Sequence, residues 1–534
     1  MDKVWLKHYP EHFQKEVDIP DDSLPDMLHQ TIAGYGEHKA LSFYGREISY
    51  NELGQQTGAF TSALQQDGFL KGDRAALMLP NCPQYVISYY GVLQAGGIVT
   101  QINPMLVGKE LAFILQDSGA ETIIIYESFL PVLNQIIDQT SVKRVIKVTL
   151  EGSGTEDSQA IDFTDFLKRT TNPPVPVDIE PSTDVAILQY TGGTTGRSKG
   201  AMLTHRNLLA NVIQSHEFFK DTIEYGKERF LTVIPLFHVF GMTSCMNLSI
   251  YTGSLSIMLP RFELDDVLET IKERQPTSFP GVPTMYVAIA NHPRADQYGI
   301  DSIRICNSGS APMPKEIMRR FEDKTGAAIL EGYGLSESSP TTHCNPAFGT
   351  RKPGSIGIGF PSTDYKIVDL ADGMTEQPPG ESGEIIVKGP QVMKGYWNMP
   401  EETANTLRDG WLYTGDIAYM DEEGYAYVID RKKDLIIASG YNIYPRDVEE
   451  MMYEHPAVQE VVVVGVPDPY RGETVKAVAV LKEGETVSEE ALMDYCRQNT
   501  AAYKVPRIIE FRDELPKTNV GKILRRKIRE ESTE

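Results

Sequence analysis

The sequence predicts an α/β protein built from more than one domain. A large N-terminal domain of layered α/β subdomains is followed by a small strand or barrel subdomain and a small α+β domain at the C-terminal end. Three observations carry this reading. The chain has 534 residues, too many for one hydrophobic core. In its first half, short apolar runs alternate with helical patterns in the rhythm of βαβ units. From residue 360 onward the pattern shifts to short strands punctuated by Gly and Pro, and beyond 431 it becomes a compact alternation of helices and strands.

Residues 74–79 read as a strand, 83–94 as a helix opened by Pro83, and 98–100 as the next strand. A helix over 111–117 and a strand over 121–126 continue the series. Residues 151–184, rich in Ser, Thr, Pro and acids, read as a surface connection. The apolar run 185–188 reads as a buried strand, and Thr204 as the N-cap of a helix. Between Arg229 and Arg261 no formally charged residue occurs, protonated His238 aside. Pro235, Gly241, Gly253 and several Ser, Thr and Asn residues interrupt this stretch, so the run of about twenty apolar residues that a membrane span needs is missing. Plain core and the wall of an apolar pocket fit it equally well. Residues 383–388 and 424–429 read as antiparallel strands. Past the charged junction 430–434, a helix is expected over 447–453 and strands over 461–464 and 475–481, with a helix capped by Ser488 running to 496. The domain boundary falls between 431 and 432, giving domains 1–431 and 432–534.

Composition narrows the class. Hydrophobic residues make up 41% and charged residues 23%, ordinary for a soluble enzyme. A net charge of −23 argues against nucleic-acid partners and broad binding to anionic membranes. It also means that an anionic substrate must be held by local cations. Cys82, Cys245, Cys306, Cys344 and Cys496 are scattered without metal-ligand spacing, as reduced thiols of a cytoplasmic protein would be. Residues 1–25 lack the apolar segment of a signal peptide.

The stretch Tyr190-Thr-Gly-Gly-Thr-Thr-Gly-Arg-Ser-Lys-Gly200 is the most informative piece of chemistry. Gly192, Gly193, Gly196 and Gly200 let the backbone turn its N–H groups toward a bulky anion. Thr191, Thr194, Thr195 and Ser198 add hydroxyls, and Lys199 a fixed positive charge. The stretch reads as a polyphosphate loop. It is not a Walker A loop, because Lys199 follows Ser198 and precedes Gly200 where that pattern requires Gly before and Ser or Thr after. Three further segments carry functional groups. In Glu331-Gly-Tyr-Gly-Leu-Ser-Glu337 two glycines flank Tyr333, against which a planar group can stack, and Glu337 offers a hard oxygen ligand. In 409–416 the carboxylate of Asp416 follows a Thr-Gly turn and suits a ribose diol. In 515–525 Lys522 stands in a glycine turn before a basic tail.

Taken together and in this order, these segments resemble the adenylate-forming superfamily, whose members include acyl-CoA synthetases, adenylation domains of nonribosomal peptide synthetases and firefly luciferase. The resemblance covers residues 25–530, and within the family it is greatest to bacterial long-chain fatty acid CoA ligases. It implies a two-step reaction: a fatty carboxylate attacks the α-phosphate of ATP and releases pyrophosphate, and the acyl-adenylate is then captured by coenzyme A. It further implies that Thr191 to Lys199 hold the β- and γ-phosphates, with Thr194 and Glu337 near Mg²⁺. Gly309, Ser310, Ala311, Pro312, Glu331, Gly332 and Tyr333, with Gly334 and Ser336 beside them, would surround the nucleotide. Asp416 and Arg431 would grip the ribose, and Lys522 would bridge carboxylate and α-phosphate. Lys433 matches the hinge about which the family turns its C-terminal domain between half-reactions. Ser439, Gly440 and Tyr441 would then approach to form the coenzyme A tunnel, with His238 near the reacting carboxylate and thiol.

Departures from the family pattern are mild in the loops: Gly193 stands for a common serine, Ser198 for a proline and Ser336 for a threonine. More consequential is Val239-Phe-Gly-Met242, where some long-chain enzymes place a tryptophan gate. Acyl length therefore stays open, as do aryl or branched acids and loading of a carrier protein instead of coenzyme A. A homodimer and peripheral contact with a membrane, where the substrate partitions, are compatible with the sequence.

Overall fold

The computed structural model describes residues 3–106, 108–150, 159–191, 198–438, 441–468, 471–518 and 523–532, with the side chains of 441 and 442 outside the description. The chain forms two compact units, Met1–Asp364 with Val387–Leu412, and Tyr365–Ile386 with Tyr413–Glu534.

The first unit contains two large sheets. One runs in the order Gly395–Tyr396, Lys199–Thr204, Val185–Thr191, Ile98–Gln101, Arg74–Met78, Thr122–Tyr126, Arg144–Val148 and Ala160–Asp162. Its strands from Val185–Thr191 through Ala160–Asp162 are parallel, which requires crossover segments and leaves the strands buried on both faces. The helix Pro83–Gln94 is one such crossover. Proline occupies its first turn, where a missing N–H costs nothing. Another, Gly108–Ser118, lays Leu111 and Leu115 on Ile123 and Ile125. The expected surface connection over 151–184 is only partly one. Its residues Ala160–Asp162 add an edge strand, and the short helix Phe163–Leu167 sends Phe163 and Phe166 onto Phe60, with ring centroids 5.5 and 5.3 Å away. Three residues are too few to show a period, so polar composition concealed them.

The other sheet runs in the order Ile358–Gly359, Thr341–Cys344, Ile329–Gly334, Ile305–Ser308, Ser278–Gly281, Arg229–Thr232, Leu255–Met258, Lys39–Phe43 and Arg46–Ser49. The charge-free stretch between Arg229 and Arg261 supplies two of these strands, and between them lie helical pieces with a π-helical turn at Met242–Asn247. The plain-core expectation holds, with Met242, Cys245 and Ile250 buried, while Phe230, Ser244 and Leu248 border a small void.

In the second unit, Asp364–Val368, Gly383–Lys388, Trp411–Met420 and Ala426–Arg431 build the antiparallel subdomain expected after residue 360. The remaining strands, Tyr441–Ile443, Ile436–Ala438, Gly472–Leu481, Val458–Asp468 and Ile508–Phe511, form a sheet covered on both faces. Val461 and Val463 pack with Val448, Met452 and Leu492 of two helices, whereas Val462 and Val464 pack with Leu515 and Ile528. An unbroken valine run is the composition such a doubly covered strand requires.

Candidate active site

The phosphate loop is the connection of a hairpin. Val185–Thr191 and Lys199–Thr204 pair antiparallel, so Thr191 stands opposite Lys199. Gly192, Gly193, Thr194, Thr195 and Gly196 lie outside the described residues, while Thr191 and Lys199 flank the loop as its anchors. The hairpin passes directly into the helix His205–Phe219. Thr204 caps that helix: its hydroxyl accepts from the Asn207 N–H at 3.1 Å and its own N–H donates to Asn207 Oδ1 at 3.0 Å. Lys199 is mostly buried, forms an ion pair with Glu402, and places its ammonium 5.3 Å from the ring centroid of Tyr396.

In the other large sheet, Gly309 to Pro312 follow the strand Ile305–Ser308, and Ser310 has φ 69°. A serine in the left-handed region is a strained residue of the kind that clusters at ligand sites. Glu331 to Gly334 end the neighbouring strand, Ile329–Gly334. Gly334 is obligatory, since a Cβ there would stand 2.0 Å from the Pro340 carbonyl oxygen. Tyr333 keeps a partly open face, with His343 edge-on to its ring at 6.0 Å. Burial pushes the His343 imidazole down to about 3, so that ring is neutral. The Glu331 carboxylate accepts the Gly354 N–H at 2.8 Å and is buried. Its side chain therefore serves the fold, and what it offers a ligand is main chain. Ser336 and Glu337 occupy the turn Ser336–Ser338. Glu337 Oε1 accepts the Tyr396 hydroxyl at 2.6 Å, which leaves Oε2 as the hard oxygen. No cluster of three or more acidic, His or Cys side chains suited to a metal occurs among the described residues. One carboxylate plus substrate phosphates and water is a donor set that fits Mg²⁺, which dehydrates reluctantly.

His238 caps the short helix Val239–Gly241, with its Nδ1 accepting the Phe240 N–H at 3.2 Å. That bond puts the proton of the neutral ring on Nε2. Also in the first unit is a cavity of about 340 Å³, its mouth included, with Phe219, Phe230, Leu248, Pro280, Ile305 and Phe360 in its wall.

In the second unit, Asp416 and Arg431 face each other across paired strands, and Arg431 Nε lies 3.3 Å from Asp416 Oδ1. Asp416 is 4% exposed. Gly415, at φ 72°, turns the chain before it and donates its N–H to Glu384 Oε1 at 2.9 Å. Lys433 lies exposed in the turn after Arg431. Ser439, Gly440 and Lys522 lie outside the described residues, as does the side chain of Tyr441.

A family model described as AMP-binding enzyme matches residues 28–397, and one described as AMP-binding enzyme C-terminal domain matches 447–522. The chain belongs to the AMP-binding enzyme family. As the motifs implied, this AMP-binding enzyme is an adenylate-forming protein. It is 48% identical to a long-chain-fatty-acid–CoA ligase of Bacillus subtilis, over 100% of this chain and 98% of that one. A long-chain-fatty-acid–CoA ligase of Escherichia coli O6:H1 is 40% identical over 100% and 99%. Among solved structures, ATP-bound MatB from Rhodopseudomonas palustris superposes with a TM-score of 0.87 at 30% identity, covering 95% of this chain and 98% of that one.

Several residues of this AMP-binding enzyme's site carried no legible signal. Tyr396 and Glu402 sit in 394–402, which has no motif spacing; the only cues were Gly before an aromatic pair and Pro400 opening a helix. Glu384, which takes both the Gly415 N–H and the Lys432 ammonium at 3.0 Å, looked like one more strand residue. Arg525, read as part of a solvated basic tail, pairs with Asp430 at 2.9 Å and with Glu449.

Proposed function

We propose that this chain is an AMP-forming fatty acid–CoA ligase that activates a medium- or long-chain fatty acid with ATP and Mg²⁺ and passes the acyl group to coenzyme A. The observation that carries this reading is the likeness, along its whole length, to the Bacillus subtilis long-chain-fatty-acid–CoA ligase.

A carboxylate is a weak nucleophile and is repelled by a triphosphate, so the protein must neutralise charge and fix an in-line approach. Lys199 and the loop beginning at Thr191 hold the outer phosphates, and Lys522 sets positive charge where carboxylate and α-phosphate meet. Bound Mg²⁺, held by Glu337 and Thr194, supplies charge neutralisation on the phosphate oxygens. Tyr333 stacks on adenine, with Gly309 to Pro312 and the main chain of Glu331 and Gly332 around it. Asp416, oriented by Arg431, accepts the two ribose hydroxyls. His238 stands beside the reacting carboxylate and thiol. Ser439 to Tyr441 serve the pantetheine tunnel, and Lys433 the hinge between a core ending at 431 and a cap beginning at 432.

We place the enzyme in the cytoplasm, where reduced thiols persist. All five cysteines are free and buried, and no helix among the described residues is long and apolar enough to cross a membrane. Pyrophosphate release across a panel of acids, with and without coenzyme A, tests the reading. Octanoate to oleate should support release, and acyl-CoA should form only when the thiol is present. Reaction of cinnamate-like acids with silence from every fatty acid would replace it with an aryl–CoA ligase.

A further inference from the structure

The segment 393–403 is fastened along the strand that leaves the phosphate loop. Gly395 and Tyr396 pair with Met202 and Ala201, the Trp397 N–H donates to the Gly200 carbonyl at 2.8 Å, and the Lys394 N–H donates to Met202 at 2.9 Å. Farther out, Trp397 Nε1 donates to the Asp117 carbonyl at 2.9 Å, while Tyr190 Oη donates to the Asp117 carboxylate at 2.7 Å. The Tyr396 N–H is held by Thr403 Oγ1 at 2.8 Å. From this fixed backbone two side chains reach the site. Tyr396 Oη donates to Glu337, and the Glu402 carboxylate pairs with the Lys199 ammonium.

We propose that Glu402 is an intramolecular stand-in for a nucleotide phosphate: it holds Lys199 while the site is empty and is displaced when the polyphosphate arrives. Tyr396 is the accompanying positioning residue, fixing the carboxylate of Glu337. The inference rests on reading Lys199 as a phosphate ligand. A carboxylate and a phosphate both present anionic oxygens to an ammonium, but the polyphosphate carries several charges and wins the exchange. The side chains differ in freedom. Lys199 is 15% exposed and Glu402 40%, so Glu402 can swing into water while Lys199 stays put. Glu402 lies in the short helix Pro400–Thr406, close enough to return as pyrophosphate departs. It therefore competes with product as well as with substrate.

Direct binding to the full chain tests this, with calorimetric titration of Mg²⁺ and a non-hydrolysable ATP analogue and, separately, of pyrophosphate. Glu402→Gln should tighten both by about two- to five-fold, the worth of a partly exposed ion pair. Glu402→Asp, one methylene too short to reach, should move the same way and serves if the first variant folds poorly. A gain of affinity is a change that a merely structural role would not produce. Tyr396→Phe should raise the Mn²⁺ concentration needed to saturate the enzyme–nucleotide complex, read by electron paramagnetic resonance, with thermal unfolding unchanged. Unaltered or weaker ligand binding in both Glu402 variants, alongside lost binding in Lys199→Ala, overturns the stand-in and leaves the site reading intact. Normal binding in Lys199→Ala overturns both. Unchanged Mn²⁺ affinity in Tyr396→Phe removes its positioning role.

Discussion

Asp416, the proposed ribose acceptor, has no unusual chemistry of its own. Its carboxylate is buried, with the Arg431 guanidinium at its side, and Gly415 gives the strand the turn that sets it in place. The Thr-Gly-Asp sequence that suggested a diol acceptor also dictates that turn, so its local geometry was legible. Glu337 was legible as a hard oxygen, but its partner Tyr396 was not. The two are 59 residues apart, and what joins them is strand pairing, which no local spacing reveals. Lys522 makes the sharpest demand at this scale. If its charge acts where acyl carboxylate meets α-phosphate, removing it affects one half-reaction only. Lys522→Ala should slow pyrophosphate release by about 10²–10³-fold, the usual worth of one preorganised electrostatic group. Thioester formation from supplied acyl-adenylate and coenzyme A should continue near the original rate. Equal losses in both assays would assign Lys522 to the fold.

Helices and strands were read best where a terminus carries its own chemistry. Pro83 opens one helix, Ser488 caps another by accepting from the Ala491 N–H at 3.2 Å, and Thr204 caps a third, reciprocally with Asn207. The strand Ala160–Asp162 escaped notice because it has no cap and no period. The helix at Thr204 also brings a pH response. His205, its first residue, is buried and accepts the Leu24 N–H through Nδ1 at 3.3 Å. Burial pushes its imidazole down to about 4, and the nearby carboxylates of Asp184 and Asp26 recover only part of that shift. A cation at a helix N-terminus is also unfavourable. The folded state therefore keeps His205 neutral where the unfolded chain, titrating near 6.5, takes up a proton. With more protons bound in the unfolded state, stability falls as pH drops from about 6.5 to about 4 and levels off below. The loss from this group should reach about 3 kcal/mol. Urea unfolding across that range should show the slope, and His205→Asn, which keeps an acceptor without the titration, should flatten it.

On the scale of the molecule, the junction 430–434 joins two kinds of bond. Asp430 precedes the proposed hinge at Lys433, yet its carboxylate accepts the Arg446 N–H at 2.9 Å and pairs with Arg525, both of which follow it. Arg446 also donates to the Val428 carbonyl, and Arg525 reaches Glu449. Contacts of this kind group 413–431 with the C-terminal residues, although charge pattern alone suggested a boundary after 431. Sequence marks where a chain is polar enough to be exposed; it does not mark which distant side chains will hold the exposed segment. If the residues after Lys433 turn between half-reactions, the bonds of Asp430 to Arg446 and Arg525 must break in one of the two arrangements. Removing a partner from such a buried pair typically costs about 3–5 kcal/mol, so the turn needs substrate binding to drive it. Lys433→Pro fixes φ at the hinge and restricts Lys432 before it. The turn would then be blocked without touching any group that binds substrate. One half-reaction should persist within about twofold of its original rate while the other falls by at least about tenfold, the loss expected when a gating motion and not the chemistry is removed. Parallel assays of pyrophosphate release and of acyl-CoA formation from supplied acyl-adenylate decide it, because a hinge elsewhere would leave both rates unchanged and a damaged fold would lower both.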